Sequence, residues 1–237
     1  MPQFHREWTV LPHDPLERLA PSVWRVSAGL EGAPMKRVMS VLKRADGQLV
    51  VHSGIALAPA QMQALEAEGP VGFILVPNGF HRLDAFAFKQ RYPNAKVLCP
   101  AGSRKKVEAV VAVDGSYADF PPDPRVSLEH CEGTAEQEGL ALVKDPGELT
   151  LVLNDLVFNM PHGAGLAGFI LRHLTASSGG PKISRISRLF LVKDKAKVRG
   201  ALERLAALPD LKRVIVSHHQ VIDSDPAATL RRVAASL

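Results

Sequence analysis

Cysteine and aromatic side chains are scarce in this sequence, and their scarcity excludes several classes of protein. The 237 residues include only two cysteines, Cys99 and Cys131, which are too few for a disulfide framework and too far apart for a Cys-x-x-Cys metal motif. This usage favours a reducing, cytoplasmic setting. Aromatic residues make up 5% of the chain, so we expect a core built mainly of valine, leucine, isoleucine and alanine.

Long apolar runs are also missing. No stretch of about 18 apolar residues occurs, and the first residues lack the apolar segment of a signal peptide, so we expect no membrane partner and no secretion leader. The chain still has 46% hydrophobic residues and a mean hydropathy of +0.02, which suits an ordinary globular core. Its formal net charge of +5 permits acidic partners without requiring them. Glycine-rich phosphate loops, nucleophile elbows and dinucleotide fingerprints are absent.

A buried strand and the loop after it form the central feature of the sequence. Residues 71–76 are continuously apolar, which is typical of a strand buried on both faces. Residues 77–79 end this strand, and the loop then presents His81, Arg82 and Asp84. Loops at the carboxyl ends of buried strands carry the chemistry of many α/β enzymes, so we expect functional residues here.

Other predicted strands also end in polar residues. His52 follows the strand that begins at Leu49, Asp155 follows the strand 149–153, and His218 with His219 follows the strand 211–216. No repeat or independent second core is evident. We therefore predict a single domain over residues 1–237, with an extended N-terminal arm (1–21) and an irregular helical insertion (160–190).

The order of these strand ends resembles the metallo-β-lactamase superfamily. The segment 151–158, LVLNDLVF, is similar to the strand whose aspartate bridges two metals in that family, with Asp155 in its place. The segment 214–222 is similar to the late strand that ends in a metal-binding histidine, here His218. The segment 49–54, LVVHSG, has His52 where the family has aspartate. This resemblance implies an α/β (α+β) fold, an αββα sandwich of two mixed β-sheets flanked by helices.

The central loop departs from the family pattern. Metallo-β-lactamases place a Thr-His-x-His-x-Asp-His motif after the buried strand, whereas this chain has Asn78, Phe80, Arg82 and Leu83 at the four ligand positions. A neutral asparagine is a poor zinc ligand, and phenylalanine, arginine and leucine are none. The chain is thus similar to a divergent bacterial branch that keeps Pro-Asn-x-x-His, and the resemblance implies a degenerate metal site.

Two readings of this site stay open. The first is a hydrolase of unknown substrate with an altered site for zinc or another divalent metal. Its ligands would be His81, Asp84, Asp155 and His218, with Asp155 and His81 as catalytic residues. The second is a metal-free protein, in which the same side chains form a polar network beside a cleft for a small, anionic molecule. That cleft would be lined by His52, Asn78, Arg82 and His219.

Nucleic-acid binding is a third reading, and the sequence does not favour it. A basic stretch runs from Lys182 to Arg199, but it holds a single aromatic residue, Phe190, and so lacks the interleaved aromatics that stack on successive bases. A solvated basic surface explains this stretch more simply. The sequence does not determine an oligomeric state.

Overall fold

The computed structural model describes residues 4–237, which form two mixed β-sheets with helices on their outer faces. The first sheet has seven strands in chain order. Its first four strands pair antiparallel, and β4 to β7 pair in parallel. Its strands are β1 (Glu17–Ala20), β2 (Val23–Leu30), β3 (Ala33–Lys43), β4 (Leu49–His52), β5 (Val71–Leu75), β6 (Lys96–Cys99) and β7 (Gly115–Ser116).

The second sheet has four strands in the order β13-β10-β9-β8. Strand β10 pairs in parallel with β13, and the other pairs are antiparallel. A separate two-stranded ribbon joins β11 and β12. The strands are β8 (Val126–His130), β9 (Gly139–Asp145), β10 (Glu148–Val152), β11 (Phe158–Met160), β12 (Gly180–Lys182) and β13 (Leu211–Ile215).

Within residues 4–237, seven α-helices surround the sheets. They are α1 (Pro59–Glu66), α2 (Ala85–Arg91), α3 (Arg104–Glu108), α4 (Gly165–Phe169), α5 (Arg185–Phe190), α6 (Lys195–Ala206) and α7 (Pro226–Ala235). Short 3-10 turns occupy Ala101–Ser103 and Tyr117–Asp119, and a π-helical turn, Ile170–Leu174, continues α4. Helix α7 is capped by Asp225, whose side chain accepts the Ala228 amide, and Pro226 lies in its first turn.

Three apolar layers confirm the predicted αββα sandwich. The middle layer joins the facing sides of the two sheets, with Val50 and Leu75 from the first sheet and Val152 and Ile215 from the second. A second layer packs α1 to α3 on the outside of the first sheet, and a third packs α6 and α7 on the outside of the second. Neighbouring residues of a strand point to opposite faces, so each buried strand serves two layers.

The predicted N-terminal arm (1–21) and the predicted irregular insertion (160–190) both contain regular secondary structure. Within the predicted arm, residues 17–20 form β1, and residues 1–3 lie outside the described part of the chain. Within the stretch 160–190 lie α4, the π-helical turn, β12 and α5. None of the helices between residues 4 and 237 has the length and apolar character needed to span a membrane.

Parallel pairing determines where the polar loops meet. Strands β4 and β5 run in parallel in one sheet, and β10 and β13 run in parallel in the other. The loops after these four strands carry residues 53, 78–84, 155 and 218. Their carboxyl ends lie at one edge of the sandwich, so side chains that are distant in sequence come together there.

Candidate metal site at the strand ends

Asp155 lies at the centre of a cluster of polar side chains. Its Oδ1 lies 2.9 Å from Nε2 of His81 and 3.1 Å from Nε2 of His218. Its Oδ2 accepts a 2.8 Å hydrogen bond from the side-chain amide of Asn78. The aspartate is only 8% exposed, so this carboxylate depends on these neighbours rather than on water.

Both histidine rings are held through their other nitrogen. Nδ1 of His218 donates to the backbone carbonyl of Lys36 at 2.9 Å, and Nδ1 of His81 shares a 2.9 Å hydrogen bond with the Ser53 hydroxyl. Phe158 stacks on the His218 ring at 4.8 Å between centroids. Each histidine therefore turns Nε2 toward the same carboxylate oxygen, as metal-binding histidines do when a hydrogen bond at the other ring nitrogen fixes the ring.

The contact between Nε2 of His218 and Oδ1 of Asp155 is favourable only when a proton or a metal ion lies between the two atoms. Because Nδ1–H is committed to the Lys36 carbonyl, a neutral His218 has a lone pair on Nε2, and that lone pair faces the Asp155 oxygen. Two facing acceptors repel unless a proton or a metal ion lies between them. Either occupant would make the contact favourable.

In the absence of a metal, a proton fills this role. Burial alone would lower the pKa of His218, but hydrogen bonding to Asp155 and its negative charge outweigh burial and raise it. Burial alone would raise the pKa of Asp155, but the charge of His81 and the hydrogen bonds from both histidines hold it well below its usual range. The carboxylate is thus ionised, as a metal ligand must be.

The donor set fits a divalent metal. His81, Asp155 and His218 each offer one ligand atom, and these atoms all lie within 4.8 Å of one another. Two imidazole nitrogens and one carboxylate oxygen suit zinc with one open position, and they also suit non-haem iron. Within residues 4–237 this is the one group of at least three histidine, cysteine or acidic side chains with that closeness.

Asn78 and Glu138 form a buried hydrogen-bonded pair next to Asp155. Asn78 is fully buried, and its amide nitrogen donates to both Asp155 and Glu138, while its oxygen accepts the backbone N–H groups of Phe80 and His81. Glu138 accepts the Leu156 amide at 2.7 Å. Burial and the nearby charge of Asp155 raise the pKa of Glu138 well above its usual value. Asn78 thus separates two buried carboxyl groups and fixes the loop that carries His81.

Glu138 was not expected from the sequence. It stands among several acidic residues between strands β8 and β9, and no spacing distinguishes it from Glu132 or Glu136. Only its complete burial and its bonds to Asn78 and Leu156 identify it.

The structure does not bring Asp84 into this cluster, although the sequence made it a candidate metal ligand. Its Oδ1 lies 2.6 Å from Nδ1 of His5, and its Oδ2 lies 2.6 Å from Nη1 of Arg37. Both carboxylate oxygens are therefore already engaged, one by His5 and the other by Arg37. Asp84 secures the N-terminal segment and β3 instead.

None of the candidate cleft residues His52, Asn78, Arg82 and His219 lines the cavity beside this cluster. Arg82 donates to the backbone carbonyl of Lys106 and lies outside the cavity wall, so it adds no positive charge to that wall. His219 accepts the Lys36 amide through Nε2 at 3.0 Å and lines no part of the cavity described next. His52 is buried, and its Nε2 has no hydrogen-bond partner.

A cavity of about 230 Å³ opens above the cluster. His81, Asp155 and His218 lie in its wall together with Ser53 and Arg37. The other side chains are mostly apolar: Leu30, Met35, Phe80, Leu83, Phe158, Ile186, Phe190 and Leu191. The polar cluster therefore faces a largely apolar chamber.

Solved structures with the same architecture identify the fold. A metallo-β-lactamase from Pontibacter korlensis superposes with a TM-score of 0.61 over 94% of this chain and 99% of its own, at 11% identity. The metallo-β-lactamase FIM-1 from Pseudomonas aeruginosa, in its mono-zinc form, gives a TM-score of 0.60 over 96% of each chain, at 12% identity. The fold is that of the metallo-β-lactamases. No family model and no curated protein matches this sequence.

The metallo-β-lactamase fold agrees with the resemblance seen in the sequence. Identities of 11% and 12% establish the architecture alone, so the chemistry depends on the cluster that this chain itself provides.

Proposed function

We propose that this protein is a metal-dependent hydrolase whose single divalent ion is held by His81, Asp155 and His218. The observation that carries the proposal is the pair of Nε2 atoms directed at one Asp155 oxygen while both Nδ1 atoms are fixed elsewhere. Relative to the dinuclear pattern of the fold family this is a reduced, or degenerate, site. It retains the three protein ligands that a catalytic zinc needs.

A zinc ion in this position would supply a Lewis acid and lower the pKa of a bound water toward neutrality. The protein's own groups orient the ligands. Lys36 and Ser53 hold the rings of His218 and His81, and Asn78 holds the Asp155 carboxylate. The apolar cavity wall limits the amount of bulk water around the reacting atoms, which strengthens electrostatic interactions there.

The cavity favours a carboxyl-type bond over a phosphoester. Phosphoryl transfer is usually assisted by free cationic side chains around the phosphate oxygens. The one arginine in this wall, Arg37, is already paired with buried Asp84. We therefore propose ester, thioester or amide hydrolysis, in which water adds to the carbonyl carbon, the bond to the leaving group breaks, and the leaving atom takes up a proton.

A metal-loading and activity experiment tests this proposal. Purified protein is stripped of metal, reloaded with zinc, iron or manganese, and assayed on p-nitrophenyl acetate and p-nitrophenyl phosphate. We expect metal-dependent cleavage of the carboxyl ester, abolished by Asp155→Asn and His218→Ala. The variant His173→Ala, which changes an exposed histidine, should behave like the parent protein. Equal activity with and without metal, or cleavage of the phosphate ester alone, would contradict the proposal.

A further inference from the structure

The cavity mouth is formed by apolar side chains that are unusually exposed. Phe80 is 55% exposed, Ile186 49% and Phe190 52%, and all three line the cavity. Large apolar side chains are normally buried, so three of them around one opening call for an explanation. Ile186 and Phe190 are four residues apart on α5, so they lie on the same face of that helix.

The interior continues this apolar character. Leu30 and Met35 come from the β2–β3 hairpin, Leu83 from the loop after β5, and Phe158 from β11. These side chains lead from the mouth to the polar cluster at Asp155. The charges in the wall are compensated inside the protein, Arg37 by Asp84 and Asp155 by the two histidines. A ligand in this chamber would therefore meet apolar surface first and the polar cluster last.

We infer that the cavity binds the aliphatic chain of an acyl compound, with the acyl carbonyl next to His81, Asp155 and His218. This inference rests on the proposed hydrolase function and names its substrate class as esters or thioesters of fatty acids. The cavity of about 230 Å³ is smaller than the roughly 300–1,000 Å³ typical of sites for drug-sized ligands, which favours a chain of short to medium length.

The surface outside the mouth is consistent with a chain that extends beyond the cavity. Among the described residues, further exposed apolar side chains lie in the segment before α5: Leu166, Phe169, Ile170 and Leu174. The first turn of α5 adjoins this region, because the Arg185 guanidinium donates to the carbonyls of His173 and Leu174. The segment with these exposed apolar side chains is thus hydrogen-bonded to the helix that carries Ile186 and Phe190.

Leu189 provides a matched control for the experiment. It lies on the same helix as Ile186 and Phe190 and is 70% exposed, but it does not line the cavity. Replacing each of the three with serine removes similar apolar surface from α5. Only two of the three replacements change the proposed binding site.

Calorimetric titration of the metal-free protein with octanoate and with acetate isolates the contribution of the chain. We expect octanoate to bind at least about tenfold more tightly than acetate, because apolar pockets discriminate by about this factor or more per methylene group. Ile186→Ser and Phe190→Ser should each weaken octanoate binding roughly tenfold. Leu189→Ser should leave it unchanged, and circular dichroism establishes that all three variants fold.

Two results would overturn the inference. One is octanoate binding no more tightly than acetate. The other is an equal loss of octanoate affinity in Leu189→Ser and Phe190→Ser, since the chain would then lie on the outer surface of α5. Because these titrations use metal-free protein, they are independent of whether the protein binds a metal. With zinc-loaded protein, p-nitrophenyl octanoate should be cleaved faster than p-nitrophenyl acetate, and this preference should disappear in Phe190→Ser.

Discussion

At the scale of single residues, the buried side chain of Asn78 positions the candidate metal site without supplying a ligand to it. Its two amide hydrogens go to two carboxyl groups, and its oxygen accepts two backbone N–H groups of the loop that carries His81. A metal-binding histidine at this position would give the Phe80 and His81 amides no comparable acceptor. The Asn78 side chain thus holds both the Asp155 carboxylate and the start of the loop that carries His81.

We predict that Asn78→Ala lowers the free energy of unfolding by about 2–4 kcal/mol, because it leaves several buried polar groups unpaired. Urea denaturation measures this loss. The control Asn94→Ala changes an exposed asparagine and should stay within about 0.5 kcal/mol of the parent protein. Equal stabilities for the two variants would contradict the role given to Asn78.

His52 makes stability depend on pH. Its burial, reinforced by the nearby charge of His81, lowers its pKa to about 3. Between its unfolded value of 6.5 and about pH 3, the unfolded chain binds a proton at this residue that the folded chain does not. The contribution of His52 is therefore fully present above pH 6.5 and is lost as the pH falls through this window.

We predict that His52→Gln flattens the acid side of the stability curve. The difference should approach the order of 4 kcal/mol near the bottom of the window, because each unit of pKa shift corresponds to about 1.4 kcal/mol. Chemical denaturation at a series of pH values measures the slope, and exposed His173→Gln is the control. If both variants keep the slope of the parent protein, His52 does not cause it.

At the scale of elements, helix α5 forms one wall of the cavity and is tied directly to the polar cluster. The Ser184 hydroxyl caps the helix at the Ser187 amide, and the Ser187 hydroxyl donates to the backbone carbonyl of Asp155 at 2.6 Å. The helix that presents Ile186 and Phe190 is therefore positioned by the same residue that would bind the metal. Movements of α5 and of Asp155 should be coupled.

We predict that Ser187→Ala costs about 1–2 kcal/mol of stability and weakens zinc binding about tenfold, because it removes the hydrogen bond that holds the backbone of Asp155. Calorimetric zinc titration and urea denaturation measure the two effects. The control Ser127→Ala changes an exposed serine of β8. An unchanged zinc affinity in Ser187→Ala would show that α5 and the polar cluster are independent.

At the scale of the whole molecule, local patterns predict the strands, and the resemblance of the strand ends to the metallo-β-lactamase superfamily predicts their arrangement in a sandwich. Apolar runs mark the buried strands, and polar residues mark their ends. Parallel strands bring those ends to one edge, so Asp155 and His218 could be expected to lie near the loop of His81.

The finer arrangement depends on long-range partners that local patterns do not contain. Asp84 turns away from the cluster because His5, 79 residues earlier, and Arg37 of β3 occupy its oxygens. Glu138 joins the cluster through Asn78, 60 residues away. Three-residue spacing in a loop, as between His81 and Asp84, does not give two side chains a common direction as it would in a helix.

Anomalous diffraction from zinc-soaked crystals, recorded at the zinc edge, tests the metal site most directly. We predict one peak about 2.0–2.2 Å from Nε2 of His81, Nε2 of His218 and a carboxylate oxygen of Asp155, and no such peak in Asp155→Ala crystals. No peak at this position in the parent protein after soaking with excess zinc, or a peak whose ligands lie elsewhere, would contradict the proposed metal site.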